Sequence, residues 1–176
     1  MASKIKVDQI QTGDGTGTIA LQNQLSGMTH ASVPTLTTGH MPSGSALQVV
    51  RSTNATATNT SSTSYVTLAS LTITPNSTTN EIHLSTTGGK MNHNFGNAAS
   101  YWYAWFRGST QISQNSFWGN VAMNTDWPLN TAGIDTPGVT TAVTYYFKGK
   151  VSASSGWLLH DVANQPPLIT ATEIKA

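Results

Sequence analysis

From residue 139 to 150 the chain reads VTTAVTYYFKGK, and Val139, Thr141, Val143, Tyr145 and Phe147 fall on alternate positions. A two-residue period lines up one apolar row on one side of an extended strand. The same period appears in Glu81–Thr87 (EIHLSTT), where Ile82 and Leu84 face one way and Glu81, His83 and Ser85 the other. Further short apolar or aromatic runs at residues 46–51 (ALQVVR), 65–74 (YVTLASLTIT), 100–107 (SYWYAWFR), Trp157–His160 and Leu168–Ile174 read as strands as well. Within 65–74 the apolar phase shifts at Ala69-Ser70, which reads as a β-bulge. No stretch carries a sustained 3.6-residue apolar period with caps, so no helix of any length is expected. Many short strands separated by Gly, Asn, Ser and Pro predict an all-β fold, an antiparallel β-sandwich or jelly-roll-like domain.

The alternation is dense only from about residue 46. Before that, large apolar side chains come singly: Ile5, Val7, Ile10, Ile19, Leu21, Leu25, Met28, Val33, Leu36 and Met41. KIKVD and TGTIAL read as two short strands joined by the Gly13-Asp14-Gly15-Thr16-Gly17 turn. Beyond Leu25, Gly and Pro recur among Ser and Thr, and no aromatic appears before Tyr65. Such a segment buries too little apolar surface to offset a backbone entropy of about 1–2 kcal/mol per residue. Residues 1–45 are therefore expected to be an extended N-terminal arm ordered by a neighbouring subunit, and residues 46–176 the β-sandwich domain. Ile5, Val7, Ile10, Ile19 and Leu21 are the expected anchoring and oligomerisation residues, adding strands to neighbouring sheet edges.

Charge narrows the function. Asp, Glu, Lys and Arg make up 9% of the 176 residues, against 47 Ser or Thr and 13 Asn. Eight Lys and Arg against seven Asp and Glu give a formal charge of +1, too little for a nucleic-acid-binding stripe. No apolar run approaches the roughly 20 residues of a membrane-spanning helix, and MASKIKVDQI lacks the apolar core of a secretory signal. Nucleic acid and membrane insertion are thus not expected partners. Without cysteine there is no disulfide framework and no thiolate chemistry. Uncharged Thr, Ser and Asn surfaces lose less than Lys and Glu surfaces when buried between subunits.

No catalytic set emerges. There is no Gly-x-Ser-x-Gly elbow; Gly13-x-Gly15-x-Gly17 lies between strands rather than opening a helix, and Gly88-Gly89-Lys90 is a turn rather than a phosphate loop. Asp126, Asp135 and Asp161 are the acids that a glycoside hydrolase would have to pair, but each sits in turn-like sequence. His30, His40, His83, His93 and His160 show no metal-ligand spacing. Only across a threefold axis would one of them, His30, His40 or His83, become three ligands, and neither metal nor cofactor is expected. On 100–107, Tyr101, Tyr103 and Trp105 share one side and Trp102, Ala104 and Phe106 the other, so one side fills the sandwich and the other meets a neighbour or a ligand. Trp118 and Trp127 lie among Asn and Gly, as in loops, and are the candidates for glycan contact. The Asn-x-Ser/Thr sequons at Asn54, Asn59 and Asn76 are those that chance produces in such a composition.

SKIKVDQIQTGDGTGTIAL resembles the opening of structural proteins of tailed bacteriophages, above all those of marine bacteria. LQVVRSTNATATNTSSTSYVTLASLTITP followed by STTNEIHLSTTGG resembles a domain of their fibre-like proteins, WFRGSTQIS is similar to that domain's Arg-Gly-Ser-Thr hairpin, and AVTYYFKGK and ITATEIKA are similar to its terminal strands. The terminal strand departs from the pattern at Ala171-Thr172, where relatives more often carry Leu-Met, and the run 101–106 is more aromatic than usual. The resemblance implies a non-enzymatic virion protein, a homotrimeric fibre, spike or decoration protein assembled in the host cytoplasm, with other head or tail proteins as partners. Two other classes stay open: a carbohydrate-binding module for host-surface glycans, and a small hydrolase.

Overall fold

The computed structural model describes residues 10–11, 18–19, 38–53, 58–88, 90–93, 99–119, 125–128, 130–152, 157–160 and 168–176, with side chains at 38–53, 60–88, 100–115, 130–152 and 168–176. The chain divides into two compact units, Met1–His40 and Met41–Ala176. In the first, β1 (Ile10–Gln11) pairs antiparallel with β2 (Thr18–Ile19), with Ile10 opposite Ile19, and a 3-10 turn spans Thr38–His40.

The second unit is all β. Its strands are β3 (Ala46–Thr53), β4 (Thr58–Thr60), β5 (Val66–Ile73), β6 (Glu81–Thr87), β7 (Lys90–His93), β8 (Ala99–Arg107), β9 (Thr110–Gly119), β10 (Thr125–Pro128), β11 (Thr131–Asp135), β12 (Val143–Val151), β13 (Trp157–His160) and β14 (Leu168–Ile174). Two sheets, β11-β6-β14-β3 and β10-β7-β13-β4, have the same order, because each strand of one continues along the chain into its counterpart. The third sheet is β5-β12-β8-β9, and every pairing is antiparallel. With each interrupted strand counted once, the described residues form eight strands in the orders 6-3-8-1 and 2-7-4-5. That is the double Greek key of a jelly roll. Gly88, with φ of +71°, stands where β6 gives way to β7, a conformation open to glycine at little cost.

Alternation decides what lies between the sheets. Ile82 and Leu84 of β6 and Ile169 and Ala171 of β14 face Leu68, Leu71 and Ile73 of β5, Tyr101, Tyr103 and Trp105 of β8, and Val143, Tyr145, Phe147 and Val151 of β12. Tyr103 stacks on Phe147 at 5.6 Å between centroids and Trp105 tilts against it at 5.3 Å, contacts of about 0.5–1.5 kcal/mol each beyond their burial. The Trp105 indole donates to Thr131 Oγ1 at 3.2 Å, and Thr131 donates on to Thr86 at 3.0 Å, so the buried N–H is satisfied across the sandwich. Burial pushes the Tyr101 hydroxyl up to about 12 and raises Tyr103 further.

One inward position on β14 is a carboxylate. Glu173 shares a face with Ile169 and Ala171 and is fully buried. Its Oε2 accepts from Gln48 Nε2 at 2.6 Å and Asn76 Nδ2 at 2.7 Å; its Oε1 accepts from the Asn76 N–H and Asn80 Nδ2, both at 2.7 Å. Burial alone would raise its pKa, but these donors outweigh it and hold the carboxyl below its ordinary value. The turn beginning Pro75-Asn76-Ser77 is thus tied to the last strand. Asn76, one of the sequon residues, is committed to this knot.

The expected sandwich is present, with local differences. The register of β5 against β12 skips Leu68, so the bulge falls just before Ala69-Ser70. The expected strand 139–150 starts only at Val143: Pro137 and Gly138, the latter at φ +72°, turn the chain first, and Val139 is 39% exposed. Arg107 pairs with Thr110 across a tight hairpin whose Gly108 has φ of +58°, where the resemblance placed its Arg-Gly-Ser-Thr turn.

Candidate functional site

Of the residues singled out for anchoring, Ile10 and Ile19 are direct register partners in the β1–β2 pair, while Ile5, Val7 and Leu21 lie outside the described residues. Trp118 and Trp127 were expected in loops and are found on strands. Trp118 occupies the position of β9 opposite Ser100, and Trp127 the position of β10 opposite Met91; their side chains lie outside the described ones. His30 and Asp161 are also outside, His40 closes the 3-10 turn, and Asp126 pairs with Asn92. Among the described residues no three His, Asp or Glu come together as metal ligands.

Asp135 is occupied. Arg107 Nε lies 2.8 Å from Asp135 Oδ2, bent away from hydrogen-bond geometry, and Arg107 Nη2 donates to Oδ1 at 3.4 Å. The Tyr145 hydroxyl donates to Oδ2 at 2.8 Å, and its pKa is raised by burial first and by this carboxylate second. The cluster fastens β8, β11 and β12; Glu173, which like Asp135 stands opposite Ile82 of β6, is the next acid along the same row and is held by its own four donors. An open hollow of about 450 Å³ beside β6, β9 and β11 is lined by Thr86, Asn115, Asn130 and Thr131 among others, all uncharged.

The outward face of the β11-β6-β14-β3 sheet is different in kind. One row crosses all four strands: Ile134 opposite His83, His83 opposite Thr172, Thr172 opposite Val49. The next row is Ala132, Ser85, Thr170 and Arg51. Charge on this face is confined to Arg51 and the exposed Glu81–His83 pair at 3.0 Å. Val49 is 49% exposed and Ile134 57%, and they stand on the two opposite edge strands.

The outward face of the other sheet carries two lysines on an aromatic bed. Lys148 Nζ lies 4.5 Å from the Phe106 ring centroid and 5.4 Å from that of Tyr146; Lys150 Nζ lies 4.6 Å from Tyr65 and 5.1 Å from Trp102. Phe106 meets Tyr65 edge-on at 5.0 Å, and the Tyr65 hydroxyl donates to Gln114 Oε1 at 2.9 Å. The sequence divided 100–107 into two bulky sides, and the outer one is capped by the lysines of β12. These lysines were not singled out from the sequence, although the alternation of TYYFKGK puts both on the face opposite Tyr145 and Phe147.

No protein-family model matches the chain, and no curated protein is similar to it. Among solved structures, the infectious bursal disease virus VP2 subviral particle is similar at 12% identity over 73% of this chain and 32% of that one, with a TM-score of 0.46. The structure of the infectious bursal disease virus Gt strain is similar at 14% identity over 73% and 38%, with a TM-score of 0.41. The chain spans about a third of the length of these proteins.

Proposed function

We propose that the chain is a non-enzymatic structural protein of a tailed-phage particle: a homotrimeric fibre, spike or decoration protein, held by residues 1–45 with its jelly roll projecting outward. The phage likeness of the sequence supports the setting, and the fold is one that viral capsid domains share with lectins and cupins.

The observation that carries assembly is the row from Val49 to Ile134. Two exposed large apolar side chains stand at opposite edges of one nearly uncharged sheet face. A twofold pairing of sheet edges would set β3 against β3 or β11 against β11 and leave the other edge open, whereas a closed ring sets one edge of each subunit against the other edge of the next. A ring joins Val49 of one copy to Ile134 of its neighbour and covers both edge strands, which would otherwise be open to uncontrolled pairing.

The natural absence of cysteine makes the test clean. Within one chain the two positions are three strand spacings apart, about 14 Å, too far for a disulfide. The double variant Val49→Cys/Ile134→Cys, oxidised in solution, is expected to yield covalent trimers, and each single variant none. Double-variant chains that remain monomeric, or single variants that form dimers equally well, would overturn the ring.

A further inference from the structure

We infer that the outward face of the β5-β12-β8-β9 sheet is a binding site for an acidic polysaccharide, with Lys148 and Lys150 as its anion-binding groups. The two lysines are two residues apart on β12, hence on one face and about 6.7 Å apart along the strand. Each ammonium is held over two rings, Lys148 by Phe106 and Tyr146 and Lys150 by Tyr65 and Trp102. A cation seated on a ring face keeps its outward N–H groups available, and the long side chain is already ordered before a ligand arrives.

Among the described residues no acid neutralises them. The three acids with described side chains are committed elsewhere: Glu81 to His83, Asp135 to Arg107 and Tyr145, and Glu173 to Gln48, Asn76 and Asn80. A face with two fixed positive charges and no described carboxylate is complementary to an anion rather than to a second copy of itself. Around the lysines the face offers neutral amides and hydroxyls: Gln111 donates to Gln114 at 3.3 Å, and Thr72 and Thr144 share a bond at 2.8 Å. Two ammoniums are too few to hold a nucleic-acid backbone. Spaced carboxylates or sulfates with hydroxyls between them fit both parts of the surface. Trp127 stands on β10, in another sheet, and the lysines and rings of the site all belong to one chain.

Binding of the full-length chain to alginate (a polyuronate), dextran sulfate, neutral dextran and a single-stranded oligonucleotide, measured by titration calorimetry at low and at physiological salt, tests this. Saturable binding to alginate or dextran sulfate, weakened by salt and at least ~10-fold tighter than to dextran, is expected. Lys148→Gln/Lys150→Gln should lose ~10-fold or more in affinity while Lys148→Arg/Lys150→Arg stays within ~3-fold of the parent. Should the Gln variant fail to fold by circular dichroism, the Arg variant and the salt dependence of the parent decide. Binding to neither polyanion, equal binding to dextran, a folded Gln variant with parental affinity, an Arg variant that loses binding, or tighter binding to the oligonucleotide than to both polyanions would each overturn the assignment. The mass of each variant in solution, measured in parallel, separates failure of this site from failure of assembly.

Discussion

Replacing Glu173 with Gln changes one atom and tests how the end of the chain is locked. Four donors converge on the carboxylate, two on each oxygen. In Glu173→Gln one oxygen becomes an NH2 group, so whichever way the amide turns, two of the four donors face another donor. A buried donor left unmatched costs about 1–3 kcal/mol, so the variant should lose about 2–6 kcal/mol with almost no change in volume. Urea unfolding at pH 7 and fixed protein concentration reads this as a lower midpoint at unchanged slope. The pH dependence supplies a second reading. The folded-state pKa lies below the reference value of 4.5, so the ionised group stabilises the fold above that value, and the stabilisation is lost as pH falls through the folded pKa. The gap between parent and variant should therefore be full at neutral pH and narrow below about pH 4.5. A loss under about 0.5 kcal/mol, or a gap unchanged down to pH 3, would refute the reasoning.

Other expectations follow from the same geometry. Trp105→Ala should cost about 3–5 kcal/mol, since it empties the centre of the core and unpairs Thr131 from its indole; thermal unfolding checks it. Tyr101, Tyr103 and Tyr145 should stay protonated at pH 11 and ionise only as the fold is lost; five tyrosines titrating together near pH 10 with circular dichroism intact would contradict their burial. Gly108→Ala, at φ +58°, should destabilise by about 1–2 kcal/mol through the β8–β9 hairpin, with Gly108→Asn costing less; urea midpoints would show the order.

Where one strand face is apolar and the other polar, the sequence is an accurate guide. Glu81–Thr87 and Leu168–Ile174 have the bounds expected of them, and so does the short apolar run Trp157–His160. Strands such as β4 (TNT) and β11 (TAGID) carry little apolar contrast, and their membership comes from the neighbours they pair with. Glu173 was legible as a contradiction, a charge in phase with Ile169 and Ala171, but its resolution depends on Asn76 and Asn80, 97 and 93 residues away. The ring edge was hidden for the same reason. Val49 and Ile134 look unremarkable in sequence, and only register across four strands sets them in one row. The aromatic sides of 100–107 were visible, whereas the lysines that cap one side belong to a strand more than 40 residues later.

The mass of the full-length chain in solution at micromolar concentration tests the assembly account most directly. Sedimentation equilibrium should give three times the 18.6 kDa chain mass, falling to a single chain in Val49→Asp with its sandwich intact. A parent protein that sediments as a folded monomer, or a Val49→Asp variant that remains trimeric, would contradict it.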